Sequence, residues 1–199
     1  LVVSILGYLI GITVGALQGY YGGWIDIGSQ RLVEIWSAIP FLFVIMIIVS
    51  MIQPTFLLLV VLLVLLRAWI GITFYVRGEY LREKAKDYVQ AAIGSGVGDG
   101  KIMLKHIFPN TLVPIISSAP FGIVGLISSL VSLDYLGFGL PPGTPSWGAL
   151  LRQGLENVRF HPHLTIIPTA ALAVTLFCVV MVGEAVREAL DPKVFSRLR

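Results

Sequence analysis

The 199-residue sequence contains little charge and a single cysteine. Only 13% of its residues are charged, whereas an ordinary soluble domain carries about 25%. Hydrophobic residues make up 56% of the chain, and the mean hydropathy is +0.89. This composition predicts a membrane protein. The lone Cys178 lies in an apolar run, so the sequence excludes an intrachain disulfide and a cysteine metal cluster.

The sequence also lacks the patterns of nucleic-acid binding, nucleotide binding and catalysis. Its Lys and Arg residues lie at segment ends instead of on one basic face, so no nucleic-acid partner is expected. The glycine-rich stretch 94–101 fails the phosphate-loop pattern, because Ile102 follows Lys101 where Ser or Thr is needed. His161 and His163 have no third ligand nearby, and no nucleophile–base or paired-carboxylate arrangement is visible. We therefore predict a non-catalytic chain without a cofactor or a metal.

Five apolar segments are long enough to cross a bilayer as helices, which takes about 20 residues each. The predicted spans are residues 1–21, 36–52, 55–76, 112–133 and 164–182. Gln53-Pro54 leaves room only for a tight turn, so the second and third spans should form an antiparallel hairpin. The sequence thus predicts one transmembrane domain over residues 1–199, built as an all-α polytopic helical bundle.

A polar segment, residues 77–110, interrupts the apolar spans and holds ten of the 25 charged side chains. We predict a helix over Tyr80–Ala92, followed by a sharp reversal at a run of glycines. A second helix, Lys101–Phe108, is predicted to end at Pro109-Asn110, where the chain returns to the membrane. The glycines of the reversal are Gly94, Gly96, Gly98 and Gly100. This pattern predicts an exposed docking element rather than a simple loop.

The distribution of positive charge orients the spans. The Tyr20–Glu34 connection, segment 77–110 and the C-terminal tail together hold eleven Lys and Arg residues, whereas segment 134–163 holds two. By the positive-inside rule, segment 77–110 and the C-terminus are predicted to be cytoplasmic. Segment 134–163 and residue 1 are then extracytoplasmic. Since the chain begins inside an apolar run, we expect a further first span upstream.

Two features inside the spans indicate specific roles. Gly7, Gly11, Gly15 and Gly19 recur every four residues, which places them in one stripe along a helix and predicts a close packing face. Arg67 is the one charged residue inside a predicted span, and intramembrane charge is by default a functional candidate. A role of Arg67 in lining a solute pathway stays open beside snorkelling or a structural ion pair.

Several stretches together resemble one transporter family. The run Gln90-Ala91-Ala92, then Gly96, then Ile107-Phe108-Pro109 is similar to the cytoplasmic EAA loop of ABC importer permeases. On this resemblance the chain is identified as a member of the binding-protein-dependent transport inner-membrane components, in the oligopeptide/dipeptide/nickel branch. Within that branch it most resembles the microcin C/peptide permease subgroup. The further matching stretches are GGWID at 22–26, AIP at 38–40, LDYLGFGL at 133–140, PSWG at 145–148, GEAVR at 183–187 and ALDP at 189–192.

The resemblance implies a type I ABC importer permease fold with five transmembrane helices in this chain. It implies that the chain forms half of a translocation path for peptides or peptide-like solutes in a bacterial inner membrane. The implied partners are a second permease subunit, two cytoplasmic ATPase subunits, an extracytoplasmic substrate-binding protein and membrane lipid. Contact with an ATPase subunit is implied for Tyr88, Gln90, Ala91, Ala92 and Gly96, and closure of the loop for Ile107 and Pro109.

Two departures from the motif bear on the implied coupling. Gln90 replaces the Glu of the motif, so any carboxylate salt bridge becomes a neutral hydrogen bond. The additional glycines at 94, 98 and 100 predict a looser turn than usual. The alternative function is an ion-driven secondary transporter or channel subunit. Such a protein would require several intramembrane carboxylates, and the predicted spans contain none.

Overall fold

The computed structural model describes residues 1–141 and 143–190, so the tail cations Lys193, Arg197 and Arg199 lie outside the described residues. Every regular element in these ranges is helical, which confirms the predicted all-α class. Two segments, Val64–Ala68 and Ile102–Ile107, are π-helical turns. The α-helices are α1 (Val2–Tyr21), α2 (Gly23–Ser37), α3 (Phe41–Met51), α4 (Phe56–Leu63), α5 (Ile70–Lys84), α6 (Asp87–Gly94), α7 (Asp99–Lys101), α8 (Phe108–Leu136), α9 (Trp147–Glu156) and α10 (His163–Leu190).

Several of these elements follow one another without a break and form long apolar helices. α4, the first π turn and α5 make one helix over Phe56–Lys84, and α7, the second π turn and α8 make another over Asp99–Leu136. With α1 and α10 they give four helices, among the described residues, that are long and apolar enough to cross a membrane. α2 and α3 meet at an angle of 59°, and this bent pair supplies a fifth if it is counted as one span.

The second predicted span, residues 36–52, is divided in the structure. α3 alone has 11 residues, which at 1.5 Å per residue cover only about 16 Å. Pro40, in an extended conformation, directly precedes α3 and has no N–H to continue the hydrogen bonding of α2. α3 nevertheless packs against α4 and α8, because Ile45 shares one buried apolar cluster with Leu62 and Leu133.

The prediction that a helix ends at Pro109-Asn110 is wrong. α8 begins at Phe108 and contains Pro109 in its first turn, directly after the second π turn. Backbone hydrogen bonds in a π turn join residues five apart, so the wider ring relieves the clash by which proline normally breaks a helix. In addition, Asn110 Nδ2 donates to the carbonyl oxygen of His106 at 2.7 Å. The polar segment therefore leads into α8 as one continuous helix.

The predicted helix Tyr80–Ala92 is also interrupted. The residue before α6, Lys86, is extended, with ψ of 147°. The buried Glu83 carboxylate explains the break, because it accepts hydrogen bonds from Lys86 Nζ at 2.6 Å and from Tyr88 Oη at 2.8 Å, both beyond the end of α5. The connection between the two long helices is therefore shorter than the predicted polar segment 77–110 and covers only residues 85–98.

α1 and α5 form the most extensive helix pair of the bundle, and the glycine stripe of α1 lies in their contact. All four stripe glycines are buried. A Cβ atom at Gly15 would lie 2.6 Å from the Thr73 carbonyl oxygen, and one at Gly19 would lie 2.7 Å from the Arg77 carbonyl oxygen. These neighbours are backbone atoms, which cannot rotate away. The absence of side chains therefore lets α1 lie directly against the α5 backbone.

Polar contacts fix the C-terminal end of α5 to the elements around it. The Arg77 guanidinium donates to both carboxylate oxygens of Asp26 in α2, at 2.5 and 2.6 Å. Lys84 Nζ donates to the Tyr20 carbonyl oxygen of α1 at 2.5 Å, and the Tyr20 hydroxyl donates to Asp99 Oδ1 at 2.7 Å. These contacts join α1, α2, α5 and α7 at one end of the bundle, and α6 lies at that end.

Candidate functional site

The inner side of α6 is anchored to the bundle. Val89 is fully buried, and Ala92 is half-buried one helical turn later. Both pack in an apolar cluster that also contains Tyr80 of α5 and Ile107 of the second π turn. Ile107, predicted to close the loop, is thus a buried support for α6. A displacement of α6 would be passed directly to α5 and α8.

The outer side of α6 is exposed and carries one charged residue, Asp87 in the first turn. Beyond that turn it is formed by the uncharged residues Gln90, Ala91, Ile93 and Gly94. The side chain of Ile93 is flanked by small residues, so the surface is shallow and partly apolar. Of the two alanines predicted to contact a partner, only Ala91 is fully on this side. The arrangement is suited to docking in a groove of another protein.

The chain leaves α6 through a turn that requires glycine at one position. Gly96 has φ of +73°, in the left-handed region that favours glycine. The Val97 amide donates to the Ala92 carbonyl at 3.1 Å and the Gly96 amide to the Ile93 carbonyl at 3.0 Å, which is the Schellman closure of a helix. The other three glycines of the run do not have positive φ. The turn is therefore a defined helix end.

Tyr88 and Glu83 connect α6 to α5 and α8. The Tyr88 hydroxyl donates to Glu83 Oε2 at 2.8 Å and accepts from Asn110 Nδ2 at 3.1 Å. Burial and the hydrogen-bonded Glu83 carboxylate raise the pKa of Tyr88 to about 12. The phenol therefore stays protonated at physiological pH and keeps donating to Glu83. Tyr88, predicted as a partner contact, also positions α6.

Replacing Tyr88 by Phe is expected to lower the free energy of unfolding by about 1–2 kcal/mol, because the buried Glu83 carboxylate loses one of its two hydrogen-bond donors. The measurement is the thermal unfolding midpoint of the purified protein in detergent. Tyr21→Phe, at an exposed tyrosine in the last turn of α1, is the matched control.

The same variant has an expected pH dependence. Since the Tyr88 pKa lies above its ordinary value of 10.0, the contribution of the protonated phenol is complete below that value and is lost as the pH rises toward about 12. The difference between wild type and Tyr88→Phe should therefore shrink between about pH 10 and about pH 12. If the difference in stability between wild type and Tyr88→Phe does not change with pH, the destabilisation comes from lost packing and not from the lost hydrogen bond.

Gln90 makes a contact that the Glu of the motif could not make. Its Nε2 donates to the Lys84 carbonyl oxygen at 2.7 Å. That carbonyl lies in the last turn of α5, where helix carbonyls lack backbone partners. A carboxylate accepts hydrogen bonds only and could not cap this group. The amide therefore takes a structural role at the start of α6.

Arg67 lies apart from α6, in the first π turn. Its guanidinium carbon is 4.6 Å from the centre of the Phe41 ring, a cation–π contact. The indole nitrogens of Trp36 and Trp69 both donate to the Leu65 carbonyl oxygen, at 2.9 and 2.7 Å, and so support the π turn. Arg67 is exposed and lines a cleft of about 590 Å³.

The structure brings the five predicted docking residues together but gives them different roles. Tyr88, Gln90, Ala91, Ala92 and Gly96 all lie on or directly after α6. The sequence reasoning missed Glu83 and Val89. Glu83 forms an i,i+3 pair with Lys86, which in sequence looks like any solvated helix pair. Val89 could have been found, because it is an apolar residue among polar neighbours.

An all-α polytopic bundle with a short exposed helix between two long apolar helices is the architecture of a transporter permease subunit. Residues 7–196 match the family described as binding-protein-dependent transport system inner membrane component. The chain belongs to this family, which confirms the assignment made from its motifs. It is therefore a multi-pass inner-membrane protein.

Three relatives are transport permeases by name. The chain is 42% identical over 193 residues to the peptidoglycan transport system permease protein YejE of Agrobacterium fabrum, covering 97% of this chain and 50% of that protein. It is 43% identical to the inner membrane ABC transporter permease protein YejE of Escherichia coli, with 96% and 56% covered. It is 39% identical to the oligopeptide transport system permease protein OppC of Haemophilus influenzae, with 97% and 63% covered. The chain thus spans about half the length of the first two relatives.

A solved structure shares the fold. The inward-facing MetNI methionine ABC transporter matches with a TM-score of 0.71 and 16% identity, over 96% of this chain and 90% of the matched chain. At this level of identity the likeness concerns the fold alone. It confirms the predicted ABC importer permease fold.

Proposed function

We propose that this chain is the transmembrane subunit of an ATP-driven ABC importer that forms half of a translocation path for peptides or peptide-like solutes. α6 and the Gly96 turn are its contact with a cytoplasmic ATPase subunit. The remaining partners are a second permease subunit, a second ATPase subunit and an extracytoplasmic substrate-binding protein. α6 and the C-terminus face the cytoplasm, and residue 1 and α9 face the other side.

The observation that carries this proposal is the construction of α6. Its outer side is exposed around Ala91, with Asp87 as its one charged residue, while Val89 on its inner side is fully buried in the cluster that includes α1, α5 and α8 residues. A surface that docks a partner and is packed directly onto the long helices can convert movement of the partner into movement of the bundle. Such transmission requires two arrangements of the bundle that the partner binds with different affinity.

The alternative of an ion-driven transporter or channel has little support in the described helices. The carboxylates of the long helices lie toward their ends: Glu79 and Glu83 near the end of Phe56–Lys84, Asp99 and Asp134 at the two ends of Asp99–Leu136, and Glu184 and Glu188 near the end of α10. Asp134 is used structurally, because its Oδ1 accepts a hydrogen bond from the Leu140 amide at 2.6 Å. A carboxylate relay along a span is not formed by these residues.

Co-purification tests the proposal. The full-length protein is expressed with its partner genes, tagged, and extracted in mild detergent. We expect it to retain a second permease and ATPase subunits, and we expect the purified complex to hydrolyse ATP faster when the solute-loaded binding protein is added. A complex that never contains an ATPase subunit, in several detergents and in lipid nanodiscs, would overturn the proposed function.

A further inference from the structure

A stripe of polar and small residues runs along one side of the long helix Phe56–Lys84. Arg67, Gly71, Tyr75 and Glu79 recur every four residues and are exposed or half-buried. The residues on the opposite side of this helix are buried against α1 through the glycine stripe. A polar stripe that faces away from the core of a membrane bundle must meet water, a solute or another subunit, since lipid tails cannot pair with it.

Two clefts adjoin along this stripe. The first, of about 590 Å³, includes Arg67, and the second, of about 460 Å³, includes Glu79 and Arg82. Tyr75 of α5 and Ser118 of α8 line both clefts. The two clefts therefore form one track, which leads from the middle of the long helix to the end that carries α6.

The charges at the α6 end of the track are already paired. Glu79 forms an ion pair with Arg82, and Glu184 lies 3.7 Å from Arg187, which lines the same cleft. A solute carboxylate at either of these arginines would therefore lie beside an opposing protein carboxylate.

Arg67 is in a different situation. Among residues 1–141 and 143–190 it makes no ion pair, and no Asp or Glu lines its cleft. Arg67 lies about 12 residues after the start of the predicted span 55–76, which corresponds to about 18 Å along the helix. In a hydrocarbon core of about 30 Å, this depth is near the middle. Phe41 covers the guanidinium on one side only. Among the described residues no side-chain hydrogen bond uses the Arg67 guanidinium, so its N–H donors are available to an anion that enters the cleft.

We propose that Arg67 binds a carboxylate of the translocated solute as the solute passes along this track. A guanidinium presents N–H donors in a planar fork, which takes a carboxylate through two parallel hydrogen bonds. The rest of the cleft lining is mostly apolar, with hydroxyl groups from Tyr8, Ser37, Tyr75 and Ser118. This lining fits an organic solute with apolar parts and a free carboxylate, such as a peptide with an uncapped C-terminus. The inference rests on the proposed transport function.

The test compares two forms of one short peptide. The complete importer, with both permeases, the ATPases and the binding protein, is reconstituted in proteoliposomes. Uptake of labelled trialanine and of its C-terminal amide is measured for wild type, Arg67→Gln and Arg67→Lys, or for another peptide pair if the purified binding protein does not bind both forms. Because all variants use the same binding protein, its own preference cancels when the acid-to-amide uptake ratios are compared. Arg31→Gln, at an exposed arginine paired with Glu34 on α2, is the control.

We expect Arg67→Gln to lower the acid-to-amide uptake ratio by about tenfold, the effect of losing one charge-assisted contact. Arg67→Lys should lower it less, since the charge stays and the planar fork is lost. Arg31→Gln should leave the ratio at the wild-type value. If Arg67→Gln does not assemble, Arg67→Lys alone decides, and an unchanged ratio overturns the inference.

Two other results have separate meanings. If Arg67→Gln slows uptake of both peptides equally, or of neither, Arg67 pairs with another subunit or with lipid and the inference is wrong. If the wild-type complex moves neither peptide although the binding protein binds both, the proposed function fails instead.

Discussion

Replacing Ala91 by Glu is expected to lower solute uptake by about 30-fold or more while the protein still inserts and folds. Ala91 lies on the exposed side of α6, so a carboxylate is hydrated there in the free permease. In a docked complex the same carboxylate would be desolvated without a partner, which costs about 2–5 kcal/mol. Since 1.4 kcal/mol corresponds to a factor of ten, the docked state becomes rare. The measurement is uptake in cells, beside the amount of ATPase subunit retained by the purified permease.

The control for this prediction is Ala91→Ser, which keeps a small uncharged side chain and should transport like wild type. Ala92→Glu is a less clear test, because Ala92 packs against the buried cluster and a carboxylate there would detach α6 from the bundle itself. Normal uptake by Ala91→Glu would show that α6 does not dock. Loss of the protein from the membrane would show instead that its outer side is structural.

Replacing Gly15 by Leu is expected to lower the free energy of unfolding by about 3 kcal/mol, at the upper end of the usual effect of overpacking. A Cβ at Gly15 would lie 2.6 Å from the Thr73 carbonyl oxygen and 3.0 Å from the Arg77 amide nitrogen. Because both atoms belong to the backbone, α1 must move away from α5 along its length. The measurement is the temperature at which half of the detergent-solubilised protein loses its monodisperse peak in size-exclusion chromatography.

The matched control makes the same change where space is open. Gly28 lies on the exposed side of α2, and a Cβ added there has no neighbour within 4 Å. Gly28→Leu should therefore leave the unfolding midpoint near or above that of wild type, since leucine favours helix more than glycine does. Equal midpoints for the two variants would mean that the glycine stripe does not set the helix distance.

The presence of the long helices could be predicted from sequence more reliably than the residues at which they begin and end. The apolar runs and the four-residue glycine spacing are local patterns that follow the helical period, and α1 and α10 lie where they indicate. The π turn before Pro109 could not be predicted, because it depends on burial of Ile102 and Ile107 in a cluster assembled from distant helices. Without knowledge of that turn, Pro109 predicts the end of a helix. The division of the second span at Pro40 had a local signal, because the proline directly precedes α3.

In the candidate site, too, features set by local sequence could be predicted, and features that depend on distant residues could not. The motif residues Gln90, Ala91 and Ala92 could be found from sequence alone, and helical geometry already places Val89 and Ala92 on one side. The role of Gln90 could not be predicted, because its partner is the Lys84 carbonyl, which is free only because α5 ends at that residue. The cleft at Arg67 likewise depends on the path of α3 and α8. Only the presence of an intramembrane charge is visible in the sequence.

The glycine stripe of α1 has a consequence for the synthesis of the protein. The residues that fill the stripe come about 60 positions later in the chain, from Ala68 to Tyr80. At about 5–20 residues per second, α1 is made roughly 3–12 s before α5 can pair with it. During this time its backbone is satisfied within the helix, but its groove is open to any other helix with small residues. Pairing of α1 with a wrong helix during this delay is therefore a route to misassembly, and rapid delivery of α5 to the membrane shortens it.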